Sequence, residues 1–332
     1  MPAPRVLFIG GTGVISSACV RGAVAAGIQV SVLNRGVSTS RPLPEPVEVI
    51  RADVRDTDAV RAALSGREFD AVADFMTFTA DQAEAGIDLF TGRTGQYVFI
   101  SSASAYQKPP ARLPVTESTP LRNPFLEYSR DKIACEDLLA RAWRDSGFPA
   151  TVVRPSHTYD ETSVPLLGGW TDVDRMRRGL PVVVHGDGAS LWTLTHHDDF
   201  ARAFVGLLGH PATIGDSVHI TSDEVLTWDQ IYRTMADAAG VGDPEIVHIA
   251  SDTIAARAPD LGDALLGDRS HCAVFDNSKV KALVPDFVAT IPFAVGARDI
   301  VAWHDADASR RGVNADLDST FDRLVDHALA RR

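Results

Sequence analysis

The sequence has few cysteines, no long apolar run and no cluster of positive charge. Its 332 residues include three cysteines, Cys19, Cys135 and Cys272, far apart and odd in number. They form neither a disulfide framework nor metal-ligand spacing, so buried, unreactive thiols are expected. No apolar stretch approaches the roughly 20 residues that span a bilayer, which excludes a membrane-crossing helix as the basis of function. The opening "MPAPRVLFIGG" runs straight into an apolar strand. It lacks the charged start, apolar centre and cleavage site of a signal peptide, so a cytoplasmic location is expected. Net charge is -12, and no basic block stands out. A phosphate-backbone partner favours a basic face, so neither nucleic acid nor membrane is expected as a partner. Internal repeats and low-complexity tracts are also missing.

What remains is an ordinary globular composition, 45% hydrophobic and 23% charged, large enough for one core with an added lobe. Apolar strand patterns at 5–10, 28–34, 47–53, 69–76 and 95–102 alternate with helical patterns at 13–27, 56–66 and 79–92. Short connections between them predict a parallel sheet with helices on both faces. Right-handed crossovers then give an α/β, Rossmann-type, doubly wound fold. The longest periodic helix spans 127–147, a strand follows at 149–156, and "DSVHIT" at 216–221 can extend the sheet. The expected division is a dinucleotide-binding core over 1–156, with returns near 191–221, and a smaller substrate-binding lobe mainly over 157–332.

"GGTGVIS" at 10–16 sits between the first strand and the first helix. Glycine permits a tight turn and lets a pyrophosphate approach the backbone, facing the free amides of a helix start. Gly10 and Gly13 occupy the first two glycine places, and Ser16 replaces the third with another small residue. Gly10, Thr12, Gly13, Val14 and Ile15 are therefore candidate cofactor contacts. The second strand ends in Asn34 and Arg35 rather than an acid, and an arginine there accommodates a 2′-phosphate. NADP is expected, with NAD possible. Asp53 and Val54, after the third strand, are further candidates, Asp53 either for the adenine amino group or as a helix cap.

In "EYSRDK", Tyr128 and Lys132 are four residues apart and share a helix face. A nearby ammonium favours phenolate and tunes the tyrosine as a general acid and base. The strand "YVFISSASAY" ends in serines at the sheet edge where doubly wound folds bind ligands.

Taken with "DVRD", "RPSHTY" and "THHDDFARAF", these stretches resemble the extended short-chain dehydrogenase/reductases of the NAD-dependent epimerase/dehydratase type. The likeness runs in order from residue 5 to about 205. It implies Tyr128 as the base, Lys132 as its partner and a holder of the nicotinamide ribose, and Ser102 as the group that holds the substrate oxygen. It also implies a homodimer built from helices 79–91 and 127–145. Departures narrow the chemistry. Ala103 and Ser104 stand where 4,6-dehydratases of the family carry Asp and Glu, so dehydration is disfavoured. Trp192 stands where many nucleotide-sugar members carry an arginine for the diphosphate. His157 stands where Asn is frequent. Ser104, His157, Tyr159 and Trp192 are candidate substrate contacts. His196 and His197 before Asp198 and Asp199 invite a metal reading, but the matching family segment is a strand-to-helix corner capped by Asp, and no metal is expected. The expected activity is that of an NAD(P)-dependent oxidoreductase or epimerase acting on a secondary hydroxyl or ketone of a sugar-like substrate. The alternatives are a non-catalytic NADP sensor and an RNA-associated protein, since the glycine turn and the "SSA" strand are also similar to chloroplast stem-loop RNA-binding proteins.

Overall fold

Seven of the short apolar runs become strands of one parallel sheet. The structure, a computed structural model, describes residues 3–37 and 40–330. The first half runs β1 (Arg5–Ile9), α1 (Val14–Ala25), β2 (Gln29–Asn34), β3 (Glu48–Arg51), α2 (Thr57–Ala63), β4 (Ala71–Asp74), α3 (Ala80–Phe90), β5 (Tyr97–Ile100), α4 (Glu127–Ser146) and β6 (Ala150–Pro155). Then come β7 (His157–Tyr159), α5 (Trp170–Arg177), β8 (Val182–His185), β9 (Leu191–Trp192), β10 (Leu194–His196), α6 (His197–Leu207) and β11 (Ser217–Ile220). The chain ends with β12 (Leu226–Thr227), α7 (Trp228–Ala238), β13 (Ile246–Ile249), α8 (Ser251–Arg257), α9 (Pro259–Ala264), α10 (Ser278–Leu283), α11 (Phe293–Asp305) and α12 (Ala315–Leu329).

The sheet order is β11-β6-β5-β4-β1-β2-β3, with every neighbouring pair parallel. The order reverses between β1 and β4, which opens a crevice at the carboxyl ends of the strands, where such sheets take their ligands. Alternation along a strand sends successive side chains to opposite faces. Val6 and Phe8 pack with α1 and α6 residues such as Val20 and Phe204. Leu7 and Ile9 pack on the other face with Val60, Leu89, Cys135 and Leu139 from α2, α3 and α4. Both faces are covered, which is why these strands are apolar throughout. The sheet is completed by β11, and one face by α6, both from beyond residue 157.

Cys19 and Cys135 are buried, and burial pushes the Cys19 thiol up and the Cys135 thiol to about 11, as expected of inert packing groups. Cys272 differs: it is half-buried, and its sulfur accepts the Leu191 amide at 3.3 Å.

A second core, rich in aromatics, holds Tyr159, Trp170, Trp192, Trp228, Tyr232 and Phe293. Beside it lies Asp172, fully buried on α5. Its Oδ2 accepts the Gly168 amide at 2.7 Å and the Tyr232 hydroxyl at 3.3 Å. Its Oδ1 has no partner, and burial raises the carboxyl from 3.8 to about 7. The folded state therefore holds a proton here that the unfolded chain has already lost. Stability falls as pH rises from 3.8 to about 7, by on the order of 4 kcal/mol in total, and the penalty is complete above that window. Asp172→Asn is expected to remove this slope. Urea titrations of both proteins at several pH values check it, and an equal slope in the two would refute the assignment.

Candidate active site

The glycine turn follows β1 directly. Gly10 and Gly11 have φ of 108° and 106°, a region that side chains with a Cβ rarely adopt. A Cβ on Gly11 would also meet Val32 Cγ1 at 2.9 Å. The spaced pattern Gly10–Gly13 passed over Gly11; the doublet "GG" was its signal. The Gly13 amide donates to Ser16 Oγ at 2.8 Å, a cap on α1. Ser16 thus closes the helix start as well as packing small. Val14 and Ile15 supply the next amides of that first turn, where N–H groups lack intrahelical acceptors.

A cavity of about 130 Å3 opens beside the turn, lined by Gly10, Thr12, Asn34, Arg35, Asp53 and Val54 among others. Gly13, Val14 and Ile15 are outside that lining, at the helix end. Asn34 Oδ1 accepts the Gly36 amide at 2.8 Å, holding the chain reversal after β2, while Arg35 is exposed at the rim. Asp53 accepts the Arg55 amide at 3.0 Å. It does not cap the next helix; Asp56 does, accepting the Ala59 amide at 2.9 Å. In the loop between β2 and β3, Arg41 Nε reaches the buried Asp160 at 2.6 Å and ties that loop to the segment after β7.

A second cavity, of about 320 Å3, is lined by Ser102, Ser104, Tyr128, His157, Trp192 and Arg269 among others. The structure therefore brings together residues from the ends of β5 and β6, the start of α4, β9 and the segment after α9. Trp192 is 2% exposed and its indole N–H donates to His157 Nδ1 at 3.1 Å. That leaves the proton of a neutral His157 on Nε2, and burial holds its pKa down at about 3. Tyr159 is a correction. It lies off this lining, 1% exposed, packed edge-on against Phe293 and His196. Two residues apart on β7, both side chains leave the same face of the strand; Phe293 and His196 cover Tyr159, while His157 stays on the cavity wall.

Tyr128, at 40% exposure, is the accessible tyrosine; the other four are at most 1% exposed. Lys132, one turn along α4, is 2% exposed. Its ammonium donates to the carbonyls of Thr77 at 2.6 Å and Ile100 at 2.8 Å and lies 4.5 Å from the Phe78 ring centre and 5.7 Å from that of Tyr128. Burial pushes Lys132 down to about 8. The expected depression of the Tyr128 pKa by Lys132 is not what this geometry produces. Burial raises the phenol, and the opposing influence is the Ser102 hydroxyl, because the ammonium is turned onto two carbonyls. Two of its three N–H groups are used there, which leaves one for a ribose hydroxyl.

Three further residues support this arrangement and went unrecognised in the sequence. Asn123 is buried; its Oδ1 accepts the amides of Phe125 and Leu126, while its Nδ2 donates to Ser104 O at 2.9 Å and Gly267 O at 2.7 Å. It joins the serine turn, the start of the tyrosine helix and the far wall. Its signal was an Asn before a proline and a helix. Thr77 supplies the lysine's carbonyl and is held by the buried Asp74. Glu136 continues the face of Tyr128 and Lys132 by one more turn. It accepts the Ser101 hydroxyl at 2.5 Å and pairs with Arg154 on β6 at 2.5 Å.

His196, His197 and Asp198 place ligand-type atoms within 4.8 Å of one another. All three side chains have structural partners, Asp198 accepting from Arg21 at 3.0 Å. His196 Nδ1 accepts the Asp198 amide at 3.3 Å and caps α6, a role the sequence suggested for Asp. His197 Nδ1 lies 3.0 Å from the Val14 carbonyl.

The family described as NAD dependent epimerase/dehydratase matches residues 6–221. A 2′-dehydrokanamycin reductase of Streptomyces kanamyceticus is 32% identical over 71% of this chain and 67% of its own length. A chloroplast stem-loop binding protein of 41 kDa from Arabidopsis thaliana is 28% identical over 74% of this chain and 65% of its own. Among solved structures, UDP-glucose 4-epimerase from Bifidobacterium longum, in complex with NAD+ and UDP, superposes with a TM-score of 0.72 at 18% identity, covering 92% of this chain and 99% of that one. No helix among the described residues is long and apolar enough to cross a membrane. The chain belongs to the NAD-dependent epimerase/dehydratase family, a family of enzymes within the extended short-chain dehydrogenase/reductases.

Proposed function

We propose that this protein is an NADP(H)-dependent oxidoreductase or epimerase acting on a secondary hydroxyl or ketone of a sugar-like substrate. The observation that carries the reading is the meeting of Ser102 and Tyr128 on one cavity wall, with Lys132 buried behind them. The two positive-φ glycines fit the tight turn of a dinucleotide-binding loop, where a Cβ on Gly11 would run into Val32 and one on Gly10 into Met76. Gly10, Thr12 and the first-turn amides of α1 would hold the diphosphate, and Asn34, Arg35, Asp53 and Val54 the adenosine end. Arg35 in place of an acid supports NADP over NAD. When bound, the cofactor supplies a hydride acceptor or donor. In the oxidising direction Tyr128 takes the hydroxyl proton, Ser102 donates to the substrate oxygen, and the remaining N–H of Lys132 positions the ribose. The dehydratase outcome is disfavoured because Ala103 and Ser104 offer no acid pair.

The cavity's charge bears on the substrate. Arg269 ends a π-helical turn over Leu265–Arg269, with its guanidinium carbon 5.7 Å from the Trp228 ring centre. Among the described residues no carboxylate makes a contact ion pair with it; Asp268 and the buried Asp172 act on it only at longer range, and Asp268 is bound to Lys108 at 2.8 Å. A half-buried, unpaired guanidinium favours an anion. We therefore favour a substrate with a carboxylate or phosphate over a polycationic sugar.

The first test is to denature the purified protein and identify any dinucleotide it carried. Retained, stoichiometric oxidised cofactor supports an epimerase. An empty protein that prefers NADPH to NADH supports a reductase that exchanges cofactor. Binding of neither sinks the proposal and brings forward an RNA-associated role. The division at residues 156 and 157 into cofactor core and substrate lobe, the cytoplasmic location and a homodimer through α3 and α4 belong to the same proposal. Light scattering reads the last.

A further inference from the structure

We propose that Ser104 and Ser129 form a directed hydroxyl chain that fixes Ser102 as a hydrogen-bond donor toward Tyr128 and the bound oxygen. Neither residue touches the reacting atoms in this reading; both are positioning residues. Ser129 is wholly buried on α4, and its hydroxyl donates to Ser104 Oγ at 2.7 Å. Ser104 has one hydroxyl proton, and Ser102 Oγ stands 2.8 Å away to receive it. The Ser104 amide also donates to Ser102 Oγ, at 3.1 Å. A serine oxygen has two lone pairs and one proton. Both lone pairs of Ser102 are thereby occupied, and only its O–H is left to face the cavity. The Ser104 carbonyl is itself held by Asn123, so the turn cannot rotate to free the oxygen.

This corrects the sequence expectation for Ser104, whose hydroxyl is engaged on both sides and is 6% exposed although the residue borders the cavity. The consequence is chemical. Ser102 can donate to a phenolate, a ketone or a developing alkoxide, but it has no lone pair for the proton of a substrate hydroxyl. That proton is left to Tyr128. The consequence for the substrate oxygen rests on the hydride-transfer reading above; the hydroxyl chain itself does not.

The test needs no substrate. Four of the five tyrosines are buried, with phenols raised by burial: Tyr97, Tyr106, Tyr159 and Tyr232. The first tyrosinate absorbance to appear on raising pH is therefore that of Tyr128, and Tyr128→Phe should abolish it. The charged groups facing the phenol are Lys132 on its own helix and Asp268 and Arg269 across the cavity, with His157 neutral. None of these is altered by the serine variants. Ser104→Ala and Ser129→Ala are each expected to raise that titration by about half a unit to one unit, a three- to tenfold smaller ionised fraction at fixed pH. Ser104→Thr keeps the hydroxyl and should titrate like the parent. Circular dichroism across the same pH range reports that each variant is folded, and if Ser104→Ala does not fold, Ser129→Ala decides alone. An unshifted titration in a folded Ser129→Ala protein, or in Ser104→Ala, overturns the proposal. Dinucleotide binding, measured separately on the same proteins, distinguishes this failure from failure of the oxidoreductase reading.

Discussion

Tyr128→Phe is expected to slow hydride transfer by about 100- to 10,000-fold, the range over which a positioned proton-transfer group acts. Dinucleotide affinity and folding stability should be nearly unchanged. The phenol is the accessible one of the five, it lines the larger cavity, and its ring packs 6.5 Å from Phe78, a contact that phenylalanine keeps. Only the hydroxyl beside Ser102 is lost. Nicotinamide absorbance under single-turnover conditions reads the chemical step, and nucleotide titration reads binding. A Tyr128→Phe protein with parental turnover would remove the tyrosine from the chemistry. Full biological activity without turnover would instead favour a redox sensor that changes partners.

Glu136→Ala should produce the largest loss of stability, about 3–5 kcal/mol, the usual result of stranding one member of a buried ion pair. Glu136 and Arg154 are 5% and 6% exposed. The guanidinium makes three bonds to the carboxylate, at 3.0, 3.2 and 2.5 Å. Its remaining partners are the Tyr106 hydroxyl at 3.2 Å and the Glu117 carbonyl at 3.4 Å, neither of which carries the compensating charge. The pair holds Arg154 above its ordinary pKa. Ser101, whose hydroxyl also rests on Glu136, directly precedes Ser102, so the variant should loosen the serine turn as well. Removing both charges, as Glu136→Met with Arg154→Met, should cost less than the sum of the single changes. Urea unfolding of the parent, the two single methionine variants and the double variant measures this. A loss under about 1 kcal/mol in Glu136→Ala would show that Arg154 finds water or another acceptor.

The core of the fold was legible because its signals are local. Each sheet strand is a short apolar run, and each following helix has a periodic apolar face and a glycine or acidic boundary. The glycine turn and the Tyr128–Lys132 spacing were legible for the same reason, as both lie within a few consecutive residues. Asp53 and Asp56 show the limit of such local reading. Both are acids before α2, and only backbone geometry selects Asp56 as the cap. His157 and Tyr159 show another limit. Two residues apart on one short strand, they were taken for neighbours on the cavity, yet the packing of Phe293 from α11 claims Tyr159 for the core.

The sequence by itself determined the parallel sheet, the glycine turn and the pairing of a tyrosine with a lysine on one helix face. Those follow from hydrogen-bond periodicity and from the burial of apolar side chains, which act over a few residues. Only the tertiary structure decided what each polar group does. It turned the Lys132 ammonium onto two carbonyls from different strand ends and brought Ser102, Ser104 and Ser129 into one chain of hydroxyls. It also set Arg269 without an acid partner against the cavity and placed Glu136 beneath Arg154. These outcomes depend on donors and acceptors brought together from distant parts of the chain. A buried polar group must find a partner wherever the packing offers one, and no spacing within a single segment encodes which partner that will be.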